Sequence, residues 1–353
     1  MEEKIDVLTS NPYFKRLYGV SQLGAVKYIY EKAKLYSRAE HCLFAAYLMR
    51  EICKNLREKK DISAEDELNL VIASLLHDHH STFSHSIELL IKFSKDNKWK
   101  NHKERSAWVI EKYFKEDIEE IGGDIKEIKK IILGKSRLSN LLSHKPLGTD
   151  KISYLLYDSL IVGKYSIKLC EEVKKCIKTL RWNGELQISS EKTENCIIKL
   201  YAFYLEMYRE VYFSPEVKLY ERILQKNVER LLEEGKINVN DLWEMKDYEL
   251  EEMLKGTEYY EMLGENWIKI GEIEETSDKF SNPFEVSKKE KEIAEVLNCE
   301  ENEILCVFIP SSSKLRTDDV FLCYENTWFL EKHKEVARVL PKEANKLLIF
   351  TSR

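Results

Sequence analysis

The chain has 353 residues, 43% of them hydrophobic, enough for one large core or a core with a satellite lobe. Its 56 Lys and Arg face 62 Asp and Glu, a formal net charge of −6, which argues against a protein that coats nucleic acid through bulk charge. With only 12 Gly and 6 Pro, a mainly α fold is expected.

In chain order, "AEHCLFAAYLMREICKNL" (39–56) carries apolar residues at helical spacing and ends in basic residues, which predicts a helix. "SAEDELNLVIASLLHD" (63–78) opens with Ser63 and has Asp66 three residues on, a capping-box start. Further helices are expected over 83–95, 102–114, 124–133 and 148–163. The segment 194–235 reads as two long helices broken near Pro215. After about residue 265 the composition shifts. "EILCVFI" (303–309), "DVFLCYE" (319–325) and "KLLIFTS" (346–352) predict strands, with a short helix over 332–340. The expected organisation is a helical body over 1–264 and a smaller α+β lobe over 265–353. No apolar run reaches the length of about 18 residues that a membrane helix needs, so no membrane partner is expected. The eight cysteines show no C-x-x-C spacing and the start shows no secretory pattern; reduced thiols in a cytoplasmic protein are expected.

"LLHDHHSTFSHSIELL" (75–90) packs four of the chain's eight histidines into nine positions. His77 and Asp78 end an apolar helix, and adjacent helical residues point about 100° apart, so both face one site only at the helix end. A borderline metal needs several nitrogen and oxygen ligands, so the others must come from elsewhere. His41 and Asp150, each on an apolar helix, are the candidates. A His-Asp pair alone is a weak signal; the set His41, His77-Asp78, Asp150 is a specific one.

That set resembles the H…HD…D pattern of the HD-domain metal phosphohydrolases, a helical-bundle superfamily. The resemblance implies that His41, His77, Asp78 and Asp150 ligate a divalent metal, with Mn, Fe, Co, Ni, Zn or Mg all open. It extends further. "NPYFKRLYGVSQLG" followed by "RAEH" is similar to the start of the deoxynucleoside triphosphate triphosphohydrolases, the group of the animal SAM-and-HD-domain enzyme and the bacterial dGTPases. "DKISYLLYD" and the tail "VLPKEANKLLIF" resemble the same group, without an added SAM domain.

By that resemblance the protein would convert a dNTP to a deoxynucleoside and inorganic triphosphate, through metal-activated water attacking the α-phosphorus. Arg38 and Lys151 would neutralise the phosphates. His102 would protonate the leaving oxygen, Glu88 would orient it, and His80 and His85 would stand at the phosphates. Gln22, Leu23 and Asp158 would meet the sugar, Tyr154 would pack under it, and Tyr212 would stand near the base. A homo-oligomer is expected by the same analogy.

The chain departs from the group's pattern in places. "HDHHSTFSH" is one residue shorter than "H-D-x-x-H-G-P-F-S-H" and lacks its Gly and Pro, leaving His79 without an assigned role. The motif "H-E-x-G-S" reads "HKERS" here, so Lys103 replaces its acid. Glu88 replaces an Asp, Tyr204 a phosphate-binding Arg and Phe213 a base-contacting Gln. Two alternatives stay open at this level: another HD phosphohydrolase acting on mono- or diphosphates or phosphodiesters, and a catalytically impaired nucleotide-binding regulator.

Overall fold

Ser37 starts the helix that organises the fold. Its hydroxyl accepts from the Glu40 backbone N–H, and the Glu40 carboxylate accepts from the Ser37 N–H, so two end donors of the Arg38–Glu58 helix are satisfied. The computed structural model describes residues 2–164, 167–275, 277–311, 318–334, 336 and 344–353. The apolar spacing read over 39–56 becomes the buried face Ala39, Cys42, Ala45, Met49, Ile52, Cys53 and Leu56. Against it pack the Ala64–Leu76 helix, which has the expected Ser63–Asp66 capping box, and the Thr149–Ile161 helix. His85–Phe93, His102–Tyr113 and Ile125–Ile132 are helical, as the periodicity predicts.

The break near Pro215 has a specific form. The Glu194–Met207 helix widens into a π-helical turn, Tyr208–Tyr212, before Ser214 caps the Pro215–Glu233 helix. Such turns re-aim side chains within a helix. The Ile167–Thr179 helix was not read from the sequence. It packs on Glu194–Met207 and brings Cys176 and Cys196 together as a disulfide. This corrects the expectation that all eight cysteines are reduced thiols: 20 residues apart in sequence, the pair meets only through the packing of two helices.

Two small sheets complete the molecule. Ile268–Glu275, Asn345–Thr351 and Ile304–Ile309 form an antiparallel sheet with Asn345–Thr351 in the middle, and the Pro283–Leu297 helix lies on it. A buried ion cluster ties this lobe to the body. The Arg222 guanidinium meets Glu290 and Glu229 at 2.8 Å each, and Lys226 reaches Glu290 at 3.2 Å. The expected strand over 319–325 shortens to Phe321–Leu322, which runs parallel to Leu186–Ile188 in the second sheet. Val320, Leu322 and Phe329 pack into the core of the helical body rather than into the C-terminal sheet. Of the helix expected over 332–340, residues 335 and 337–340 lie outside the described residues, and Lys332 ends a single turn, Phe329–Lys332. Among the described residues no helix is long and apolar enough to cross a membrane.

Candidate metal centre and its cavity

His77 caps the end of the Ala64–Leu76 helix, and Asp78 follows where the helical path has stopped. That is what lets two adjacent residues face one point. His41 arrives from the first turn of the Arg38–Glu58 helix, Asp150 from the first turn of the Thr149–Ile161 helix. Gly148 permits the latter. A Cβ there would lie 2.5 Å from both the His144 nitrogen and the Leu142 carbonyl oxygen.

The four side chains converge. Asp150 Oδ1 lies 3.4 Å from His41 Nε2 and 3.4 Å from His77 Nε2. Asp78 Oδ2 lies 3.7 Å from His41 Nε2 and 3.9 Å from His77 Nε2. Donor atoms on one ion with bonds of about 2.1 Å stand roughly 3–4 Å apart. His41 Nε2, His77 Nε2 and Asp78 Oδ1 are buried and have no hydrogen-bond partner among the described residues. Each such orphan costs about 1–3 kcal/mol unless something binds it. His77 Nδ1 is held by the Ser74 carbonyl at 2.8 Å, so the proton sits there and the Nε2 lone pair is free. Burial holds His41 below the ordinary imidazole pKa, hence neutral. Burial is the largest influence and opposes ionisation of Asp78 and Asp150, but Arg38 with the neighbouring histidines for the first, and Lys151 with His41 and His77 for the second, together outweigh it and keep both carboxyls well below the usual range. Two imidazole nitrogens and two carboxylates fit a borderline divalent cation.

A second group of side chains lies alongside. Glu88 Oε1 accepts from the His102 backbone N–H at 2.9 Å and bonds its ring Nδ1 at 2.8 Å. Glu88 Oε2 bonds His85 Nδ1 at 3.1 Å, and His80 Nε2 lies 3.1 Å from that same nitrogen. His80 is fully buried and stacks on His102 with ring centroids 4.8 Å apart. This set is already paired internally, unlike the first, though its four ligand atoms also lie close enough together to hold an ion. Burial drives His80 down to about 3, so it is neutral. For His102 burial also opposes the charged form, but Glu88 outweighs it and the pKa rises.

Both groups border a cavity of about 410 Å3. His77, Asp78 and Asp150 open onto it, with His41 beneath them. Gln22, Leu23, Arg38, Lys151, Tyr154, Asp158 and Tyr212, all singled out from sequence, line it, as do His85 and His102. His80 and Glu88 stand behind the wall. Tyr212 donates to Asp158 Oδ2 at 2.5 Å, and its ring meets Tyr154 edge-on with centroids 6.0 Å apart. Burial raises the Asp158 carboxyl to about 7.

The shortened loop is held by partners instead of by Gly and Pro. Phe83 and Ser84 take positive φ, 50° and 52°. Asp247 Oδ1 accepts from the Phe83 N–H at 2.7 Å and the Thr82 hydroxyl at 3.1 Å, and Arg16 Nη1 donates to the His80 carbonyl at 2.9 Å. Gly24 presses on the same loop: at φ +51°, a Cβ there would sit 2.5 Å from the Phe83 carbonyl oxygen. The Ser84 hydroxyl accepts from Arg38 Nε at 2.9 Å, while Arg38 Nη1 donates to Asp78. His79, without a role from sequence, is a buried plug. Its N–H donates to Ser106 Oγ at 2.8 Å and its ring packs on Phe114. Sequence reading did not assign Lys145, Tyr208, Lys218 and Glu221 to the wall. None carries a local motif; distant segments bring them in.

The HD domain family pattern matches residues 38–173, the span that holds His41, His77, Asp78 and Asp150. An uncharacterized protein of Methanocaldococcus jannaschii is 26% identical over 266 residues, 74% of this chain and 53% of the relative. The chain therefore spans about half the length of that curated relative. A hypothetical protein from Aquifex aeolicus has a similar structure, with TM-score 0.73 and 20% identity over 98% of this chain and 91% of its own. A phosphohydrolase from Bacteroides thetaiotaomicron matches with TM-score 0.74 and 20% identity over 99% of this chain and 95% of its own. These two share the fold across nearly the whole chain, and residues 38–173 match the HD domain family.

Proposed function

We propose that this protein is a metal-dependent phosphohydrolase that cleaves a dNTP to deoxynucleoside and inorganic triphosphate. The observation that carries the reading is the arrangement of one cavity. His77, Asp78 and Asp150, with His41 beneath them, open at one part of its wall, and Gln22, Tyr154, Asp158 and Tyr212 form a polar and aromatic part of it. That the similar Bacteroides thetaiotaomicron protein is named a phosphohydrolase agrees with the reaction class.

His41, His77, Asp78 and Asp150 would hold the metal, which supplies an acidified water and charge neutralisation at the phosphorus. Arg38 and Lys151 orient the carboxylates and meet the phosphates. His102 stands on the cavity wall with Glu88 sustaining its protonated form, and so delivers the proton that the leaving 5′-oxygen needs. Asp158, neutral at or below about pH 7, can donate to the sugar hydroxyl as well as accept from it. Tyr154 closes the space beneath the sugar.

The test is incubation of protein reconstituted with Mn, Fe, Co or Mg with each dNTP and NTP, followed by product separation. Deoxynucleoside with intact triphosphate is the expected result. Monophosphate or orthophosphate as main product would move the protein to another HD phosphohydrolase reaction. Tight dNTP binding without product under every metal would make it a regulator.

A further inference from the structure

The cavity wall carries five basic side chains: Arg38, Lys103, Lys145, Lys151 and Lys218. Three are engaged within the protein. Arg38 pairs with Asp78, Lys151 with Asp150 at 2.9 Å, and Lys218 with Glu221 at 2.5 Å. The Lys103 and Lys145 ammonium groups make no ion pair with a carboxylate among the described residues, although both residues are half-buried; the Asp318 carboxylate accepts from the Lys145 backbone N–H at 2.9 Å. Their charge is not spent on the metal ligands.

Each is also oddly placed for a structural lysine. Lys103 is the second residue of the His102–Tyr113 helix, where the helix dipole disfavours a cation and favours an anion. Burial pulls its ammonium below the ordinary lysine value; Asp150 opposes this, and Lys151 and Lys145 add to it. Lys145 projects from the loop just before the Thr149–Ile161 helix, the helix that carries Asp150. Two uncompensated cations on the wall that holds the metal cluster and Lys151 are costly in the empty cavity. A polyanion would relieve that repulsion.

We propose that Lys103 and Lys145 form an anion subsite for the distal phosphates of the substrate, so that the cavity selects polyphosphates over monophosphates. This rests on the phosphohydrolase reading above and names the feature of the substrate that the two lysines read. A monophosphate meets the metal cluster, Arg38 and Lys151 and leaves the two lysines unpaired; a triphosphate pairs them.

The test uses the whole protein loaded with Mn2+, with Lys103→Ala, Lys145→Ala, the double variant and the milder Lys103→Gln/Lys145→Gln pair. Calorimetry measures binding of inorganic tripolyphosphate and of orthophosphate. Steady-state kinetics measures KM and kcat for the best dNTP. Each lost lysine is expected to weaken tripolyphosphate binding about tenfold or more, with orthophosphate binding unchanged. KM for the dNTP should rise with kcat within about twofold. Half-buried lysines at a cavity rim are tolerant positions, and the Gln pair controls for lost packing. A double variant that binds tripolyphosphate as tightly as the wild type overturns the subsite, even if dNTP hydrolysis is intact. Lysine-dependent tripolyphosphate binding in a protein that hydrolyses no dNTP supports the subsite and overturns the dNTP reading instead.

Discussion

Glu88 grips His102 twice with one oxygen: Oε1 takes the backbone N–H at 2.9 Å and the ring Nδ1 at 2.8 Å. The first contact fixes where the residue starts its helix; the second fixes the ring's tautomer and leaves Nε2 for a reacting group. Burial alone would strip the proton from this imidazole, and Glu88 reverses the sign. In Glu88→Gln the strongest opposition to burial is lost and only Asp78 still opposes it, so His102 should lose its proton at lower pH. The alkaline limb of the kcat profile should move down by about one unit or more, with a smaller loss at acidic pH. Profiles that superimpose for wild type and variant would remove His102 from the role of acid.

The orphaned nitrogens of His41 and His77 predict that metal stabilises the fold itself. At metal concentrations near 100 times Kd, the gain is about 2.7 kcal/mol, several degrees in Tm for this size. Thermal unfolding with added Mn2+, and after chelation, measures it. His41→Ala and His77→Ala should abolish the rise. Asp78→Ala should go further and destabilise the metal-free protein, because it leaves the Arg38 guanidinium buried without its carboxylate. A metal-induced rise that survives all three substitutions would place the ion elsewhere.

The convergence of His41, His77, Asp78 and Asp150 was legible because two signals coincide at those positions. Each sits on or just past the end of an apolar helix that periodicity predicts, and the H…HD…D order is specific once its four members are taken together. Helices with a long apolar face and a capping box, such as Arg38–Glu58, were legible for the same reason. What stayed hidden depends on contacts between distant segments. Leu180–Trp182, Leu186–Ile188 and Phe321–Leu322 have two or three residues each, too few for an alternation to show. Lys145 and Lys218 reach the cavity only through packing of the loop and helix that carry them. Tyr208 is aimed there by a π-helical turn that no local residue announces. The loop 77–84 lacks the Gly and Pro of the group's pattern; Asp247 and Arg16, far along the chain, hold its backbone instead, with His80 behind the cavity wall.

That constraint is testable at Asp247. One buried carboxylate accepts from the Thr82 hydroxyl, the Phe83 N–H and, at 3.1 Å, the Ser21 N–H. It thus fastens the histidine loop to the segment carrying Gln22. Asp247→Ala leaves three buried donors unpaired and should cost about 2–4 kcal/mol in urea unfolding. Asp247→Asn keeps one acceptor oxygen and should recover part of that loss. Activity should fall in the same order, because Arg38 leans on Ser84 of this loop. Full stability in the alanine variant would show that Gly24 and Arg16 hold the loop by themselves.

Asp158 gives the pH dependence its clearest sign. Burial raises its carboxyl to about 7, against the hydrogen bond from Tyr212. In the unfolded chain the same group titrates near 4. Between those values the folded state binds the extra proton, so stability is highest below about pH 4 for this group and is lost as pH rises through 7. Asp158→Asn is neutral at every pH and escapes that loss. Relative to wild type it should gain about 2–4 kcal/mol in unfolding free energy between pH 4.5 and pH 8. Denaturant unfolding of both proteins at the two pH values measures the difference. The comparison cancels the titration of the metal ligands, which the two proteins share. An equal gap at both pH values would mean that Asp158 is already ionised at pH 4.5 in the folded protein, and its capacity to donate to a sugar hydroxyl would be gone with it.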